Sequence, residues 1–190
     1  VFRELYEASP SDDEGNPFGI EAIRRCVVPF SNAAVDAWGW DLAKSVDWTA
    51  GVGLDFDGNP VESLRWQSPW EETIARILQT VGNDPSLVDS TGVGDPINER
   101  LQRERPGVFE GYKFTSTSKQ QLMEGLVVAI QRQEIGVPDD YIVNELEAFE
   151  YVITRTGVRY SAPDGMHDDG VMALALANHH LRHSPTQGLF

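Results

Sequence analysis

Three short apolar runs, residues 34–41, 49–56 and 61–67, follow one another with only brief polar connections between them. The first (Ala-Val-Asp-Ala-Trp-Gly-Trp-Asp) and second (Thr-Ala-Gly-Val-Gly-Leu-Asp-Phe) suit strands. Asp57-Gly58-Asn59-Pro60 is a turn signal joining the second to the third, so three consecutive antiparallel strands are predicted. The pattern then changes. Ser68 as N-cap, Pro69 at the first position and acids in the first turn predict a helix to about Val81, with Ile74, Ile77, Leu78 and Val81 as its buried stripe. A short strand at residues 87–89, a glycine turn and a helix capped by Asp95 follow. Next come a strand at 109–114 and a helix at 118–133, where Leu122, Met123, Leu126, Val127 and Ile130 repeat at helical spacing. A helix from Pro138 through Phe149, a hairpin (152–154 and 158–161) around Thr156-Gly157, and an alanine-rich helix at 167–181 complete the order. A meander followed by alternating units predicts an α/β fold: a mixed sheet of at least five strands, helices on its faces, and an additional β-hairpin.

At 190 residues the chain has the length of one domain. No stretch approaches the roughly eighteen uncharged apolar residues of a membrane-spanning helix. Fifteen basic against thirty acidic residues leave a formal charge of −15, which disfavours a free-standing nucleic-acid binder held by a broad basic surface. The single cysteine, Cys26, excludes an intramolecular disulfide and fits a reducing compartment. The start, Val1-Phe2-Arg3, has neither methionine nor signal-peptide order, and the expectation is a chain cut from something larger. Residues 7–18, polar, acidic and with two prolines, read as an interdomain linker. Ser184 and Pro185 should stop the last helix, so the fold should end near Arg182.

Acids stand at the ends of three elements. Asp41 closes the first strand and Asp89 the fourth, while Asp168 and Asp169 open the last helix. A helix start favours one carboxylate through its orphan N–H groups and dipole, but two in succession exceed what a cap needs. If the first and fourth strands are neighbours, Asp41 and Asp89 lie side by side, and a helix starting over that edge brings in the third acid. Clustered carboxylates repel unless a cation sits among them, and oxygen-only ligands suit Mg²⁺ or Mn²⁺. Two such ions about 4 Å apart can activate water and stabilise the leaving oxygen of a phosphodiester.

Residues 40–49 (Trp-Asp-Leu-Ala-Lys-Ser-Val-Asp-Trp-Thr), 88–96 (Val-Asp-Ser-Thr-Gly-Val-Gly-Asp-Pro) and 167–177 (His-Asp-Asp-Gly-Val-Met-Ala-Leu-Ala-Leu-Ala) together resemble the nuclease domain of tailed-bacteriophage terminase large subunits. The resemblance covers roughly residues 30–180 in order, and the last run is its most specific part. It implies an RNase H-like (RuvC-like) fold and a metal-dependent endonuclease that cuts double-stranded DNA with little sequence preference. Residues 1–30 would be a connection from an upstream ATPase domain, 31–182 the nuclease domain and 183–190 a tail. Asp41 would bridge two divalent cations, Mg²⁺ or Mn²⁺, with Asp89 on one and one or both of Asp168 and Asp169 on the other. Implied partners are double-stranded DNA, the ATPase domain of the same polypeptide, the portal and the small terminase subunit, with no membrane, in the cytoplasm of the infected bacterial host. Two other readings are an RNase H-like junction resolvase and a non-catalytic docking domain on the same scaffold.

His167 could orient a ligand, carry a proton or bind metal, or be a loop residue only. His179, His180 and His183 read as solvated rather than as a metal cluster. Thr91-Gly-Val-Gly-Asp-Pro lacks the Gly-Lys-Ser/Thr ending of a phosphate-binding loop, so ATP hydrolysis is not encoded in these residues. Asp47 suits a turn, and most of Trp38, Trp40, Trp48, Trp66 and Trp70 suit a core. Lys44, Lys113, Lys119, Arg132, Arg155 and Arg159 are the candidate phosphate contacts, too few for more than modest, salt-sensitive affinity.

Overall fold

A computed structural model describes residues 15–42, 48–92, 94–155 and 157–183. Lys44, Asp47, Thr156 and the tail 184–190 lie outside the described residues, as does most of the acidic stretch read as a linker. The elements in chain order are α1 (Ile20–Cys26), β1 (Val27–Val28), β2 (Ala37–Asp41), β3 (Thr49–Leu54), β4 (Pro60–Trp66), α2 (Trp70–Val81), β5 (Ser86–Asp89), α3 (Gly94–Glu104) and β6 (Phe109–Tyr112). They continue with α4 (Ser116–Gln131), β7 (Val137–Pro138), α5 (Tyr141–Ala148), β8 (Glu150–Thr154), β9 (Gly157–Ser161) and α6 (Asp169–His183). The five-stranded sheet runs β4-β3-β2-β5-β6. Its β2, β3 and β4 are antiparallel, and β2, β5 and β6 are parallel, because helices α2 and α3 supply the crossovers that parallel neighbours need. The hairpin β8/β9 stands apart from this sheet, and β1 pairs in parallel with β7.

Side-chain alternation along β2 sorts the two layers. Trp38 and Trp40 stack on each other and pack with Trp66, Val88, Ile74 and Ile77 of α2, and Leu101 of α3. Ala37, Val52, Leu54 and Leu87 belong to the opposite core, under α6, α4, α5 and α1. Gly170 to Asn178 of α6 are all buried, as a helix enclosed between a sheet and other helices must be. Its approach to the sheet is set by Gly39: a Cβ there would collide with the Ala173 carbonyl and the Ala177 amide of α6.

Several local expectations shift. Helix α2 begins at Trp70, and Ser68 is not its cap; Pro69 holds the N-cap position with ψ of 153°, and the Ser68 carbonyl accepts from Thr73 Oγ1. Helix α4 starts two residues earlier than predicted because Thr115 and Ser118 form a reciprocal capping box. Pro138 is in β7, paired with Val28, and α5 starts at Tyr141 behind an Asp140 side chain that accepts from the Ile142 amide. Residues 15–28, read as connection, are packed into the fold. Phe18 and Ile23 are fully buried, Phe18 lies against Phe149, and Asn16 Nδ2 donates to the Leu146 and Glu147 carbonyls at the C-terminal end of α5. Composition counts the polar residues of that stretch and misses that Asn16 spends its polarity on a helix end.

Gly39→Ala should lower the unfolding free energy by about 1–3 kcal/mol, the usual penalty for overpacking, read from the midpoint of a urea titration. The same change at Gly125, where a Cβ meets nothing within 4 Å, should raise stability by about 0.4–1 kcal/mol.

Candidate metal centre

Strands β2 and β5 are adjacent and parallel, with Trp40 opposite Val88, and Asp41 and Asp89 are the next residue of each. Alternation from Trp40 and Val88, on the tryptophan face, turns both carboxylates toward α6. Helix α6 lies against β2 and starts at Asp169, so the same sheet edge receives a third and a fourth acid. Asp89 is only 9% exposed, and its Oδ1 accepts from the Thr91 amide at 2.8 Å, inside the glycine turn. Burial pushes the Asp41 carboxyl well above the usual aspartate range, and the charges of Asp89, Asp169 and Asp168 push it further, with Lys119 acting in the opposite direction. Asp41 is thus the point on which the other three acids converge electrostatically.

Two cations contact the helix-start acids. Lys119 Nζ of α4 lies 3.7 Å from Asp168 Oδ2, and Arg65 Nη2 of β4 lies 3.3 Å from Asp169 Oδ2. His167 Nδ1 is 3.7 Å from the same Asp169 oxygen, with its ring half exposed. Among the described residues no three His, Cys, Asp or Glu side chains are already arranged to hold one metal ion. The donor chemistry nevertheless fits a hard divalent cation. Every acid converging on Asp41 offers carboxylate oxygens, and no sulfur ligand stands among them.

The other predicted residues divide. Lys119 and Arg159 share the lining of a cavity of about 720 Å³ between the N-terminus of α4 and the β8/β9 hairpin, together with Thr115, Gln120 and Ser161. Arg155 is exposed at the hairpin end. Lys113 is engaged 2.8 Å from Asp95, and Arg132 sits exposed at the C-cap of α4. His179 and His183 stack on one another, with Tyr112 edge-on to His179. Trp38, Trp40 and Trp66 are core residues, whereas Trp70 is partly exposed.

Sequence reading missed Arg65, Glu145, Trp48 and Tyr141 as a group. Asp41 pairs with Ala50 and Ala50 with Arg65, so the three occupy one row across the sheet. The guanidinium carbon lies over the rings of both Trp48 and Tyr141, 4.6 and 4.8 Å from their centroids. Glu145 Oε1 is 3.4 Å from Arg65 Nη1, and its Oε2 accepts from the Gly170 amide at 2.8 Å. One signal was available: Glu145 shares the buried face of α5 with Ile142 and Leu146, where an acid is out of place.

A carboxyl whose pKa is raised on folding contributes stability below its unfolded value, near 3.8, and loses that contribution as pH rises through the native value. In chelator at pH 8, Asp41→Asn should therefore melt higher than the parent, by about 2–4 °C for each kcal/mol recovered. The difference should close as pH falls toward 4, which thermal unfolding at the two pH values would measure.

No protein-family model matches the chain. It is 31% identical over 168 residues to the terminase large subunits of Thermus phage G20c and Thermus virus P23-45, an alignment covering 85% of this chain and 35% of each relative. The chain thus spans about a third of the length of the curated relatives it matches. The large terminase nuclease of phage G20c with bound cobalt superposes with a TM-score of 0.76 at 25% identity, covering 90% of this chain and 98% of that one. The nuclease domain of the Thermus phage P74-26 large terminase gives 0.72 at 25% identity, covering 87% and 95%. The chain is thus homologous to terminase large subunits over 85% of its own length and has the RNase H-like fold of large terminase nuclease domains.

Proposed function

We propose that this domain hydrolyses phosphodiester bonds of double-stranded DNA as a metal-dependent endonuclease, with Asp41, Asp89, Asp168 and Asp169 as the carboxylates that hold two divalent cations. The observation that carries this reading is the convergence of three acids on a fourth, Asp41, at the ends of two parallel strands. Such a cluster is repulsive on its own and is resolved by Mg²⁺ or Mn²⁺. The likeness to a terminase nuclease with bound cobalt supports the same assignment. Bound cations would activate water and stabilise the departing oxygen.

Within this reading the chain's own groups have distinct tasks. Asp41, fixed by the central strand, would help to hold the cations. Asp89 is oriented by the Thr91 amide, which donates to its Oδ1. Asp169 is the better held of the helix-start pair, since Arg65 contacts it and it is less exposed than Asp168, at 16% against 29%. Lys119 joins Asp168 to the cavity it lines with Arg159, a place for the DNA backbone beside the acids. His167 is set to carry a proton between solvent and the cluster. Translocation by an upstream ATPase domain, and docking to the portal and the small subunit, are proposed for the whole polypeptide.

Asp41→Asn should reduce plasmid nicking in Mn²⁺ by about a hundredfold or more, beyond the 10–100-fold typical of losing a group behind a ligand; nicking at the parental rate would reject the assignment. Mn²⁺ at about 100 times its dissociation constant should add roughly 2.7 kcal/mol to the parent by mass action, and a non-catalytic docking domain would show no shift. Melting temperature against Mn²⁺ concentration separates the two.

A further inference from the structure

We propose that Arg65 and Glu145 are a positioning pair for Asp169, setting how its carboxylate is presented to the metal site; the inference rests on the metal-nuclease reading. Glu145 ties three elements together. Its Oε2 accepts from the Gly170 and Val171 amides at 2.8 and 3.3 Å and so fixes the first turn of α6. Its Oε1 faces Arg65 Nη1 at 3.4 Å, and Arg65 Nη2 reaches Asp169 Oδ2 at 3.3 Å. All three side chains are largely withdrawn from solvent, at 18% exposure for Arg65, 8% for Glu145 and 16% for Asp169. Gly170 is what lets Glu145 come so near, because a Cβ there would stand 2.9 Å from Glu145 Oε2 and closer still to Tyr141 and Ile142. Cation–π contacts with Trp48 and Tyr141 further restrain the guanidinium.

Three arguments favour presentation of Asp169 over stabilisation alone. First, one guanidinium is shared by two carboxylates, and a buried ion triad is generally no more stable than apolar residues of the same volume. Second, both contacts exceed the 2.7–2.9 Å of a tight charge-assisted pair, so Arg65 restrains Asp169 without enclosing it. Third, Arg65 shares a sheet row with Asp41 across Ala50, and the small alanine leaves the space above that row to the two longer side chains.

The test compares the parent with Arg65→Gln, Arg65→Lys and Glu145→Gln. Mn²⁺ affinity would be measured by the electron paramagnetic resonance of free Mn²⁺, and nicking by separate kcat and KM for plasmid. Glu145→Gln keeps an acceptor for the α6 amides but gives up the charge that shares Arg65, drawing the guanidinium fully onto Asp169. Each substitution should weaken Mn²⁺ binding by about 10–100-fold and lower kcat, leaving KM within about twofold. Arg65→Lys should not restore affinity, because an ammonium lacks the planar fork. Folded variants that bind Mn²⁺ like the parent, or a change confined to KM, would overturn the inference while leaving the nuclease assignment standing. A parent that binds no Mn²⁺ removes the metal-site reading and this inference with it. If Arg65→Gln fails to fold, the other two carry the comparison.

Discussion

The backbone of α6 lies almost directly on β2, and the site depends on that contact. A residue with any side chain at position 39 would hold the helix away from the strand, and the small residues Ala173 and Ala177 complete the approach from the other side. Closeness here fixes where α6 begins. Because β2 ends at Asp41 and α6 starts at Asp169 over the same edge, the separation of strand and helix axes sets the separation of two carboxylates. The parallel pairing of β2 with β5 does the same for Asp89, with a register that makes both acids the last residue of their strands. Backbone geometry thus gathers charges that would otherwise separate.

Holding them together costs stability, and the surroundings partly offset it. Asp41 is half-buried and carries the repulsion, which is why its proton is retained to higher pH. Lys119 and Arg65 each face one of the helix-start acids, and Glu145 secures both Arg65 and the α6 amides. The compensation is distributed over α4, β4 and α5, all of which pack around one helix terminus. That arrangement couples the site to the fold: a change at Glu145 reaches Asp169 through Arg65 and reaches Gly170 through its amide.

The mixed sheet and most elements were legible because short apolar runs, turn residues and helical periodicity are local signals. Asp41 and Asp89 stand out as candidates because a carboxylate closing an apolar strand has no local structural reason to be there, and Asp168 and Asp169 because two acids in succession exceed what a helix cap needs. Arg65 was not legible: in Val61-Glu62-Ser63-Leu64-Arg65-Trp66 it is one polar residue in an alternating strand, and its meaning comes from register, Asp41 beside Ala50 beside Arg65. The burial of Phe18 and Ile23 is not legible for the related reason that α4 and α5, which pack against α1, are distant in sequence. Composition sees neither partner. Ser68 was misplaced by a single residue because Pro69 fits a cap position and a first helical position about equally well, and only its extended ψ decides.

The formal charge of −15 bears on the proposed function once its distribution is considered. Asp12, Asp13 and Glu14 precede the described fold, and the four acids of the site would be neutralised by two divalent cations. Among the candidate phosphate contacts, Lys113 is tied to Asp95, whereas Lys119 and Arg159 face the cavity beside Asp168. So short a cationic track gives little counterion release, and affinity for DNA rises chiefly with the number of phosphates neutralised. On the proposed function, the isolated domain would hold DNA weakly and cut it slowly. The active site would then act where the rest of the polypeptide raises the local concentration of the duplex, which replaces intrinsic affinity with effective concentration and confines cleavage to DNA that is already engaged.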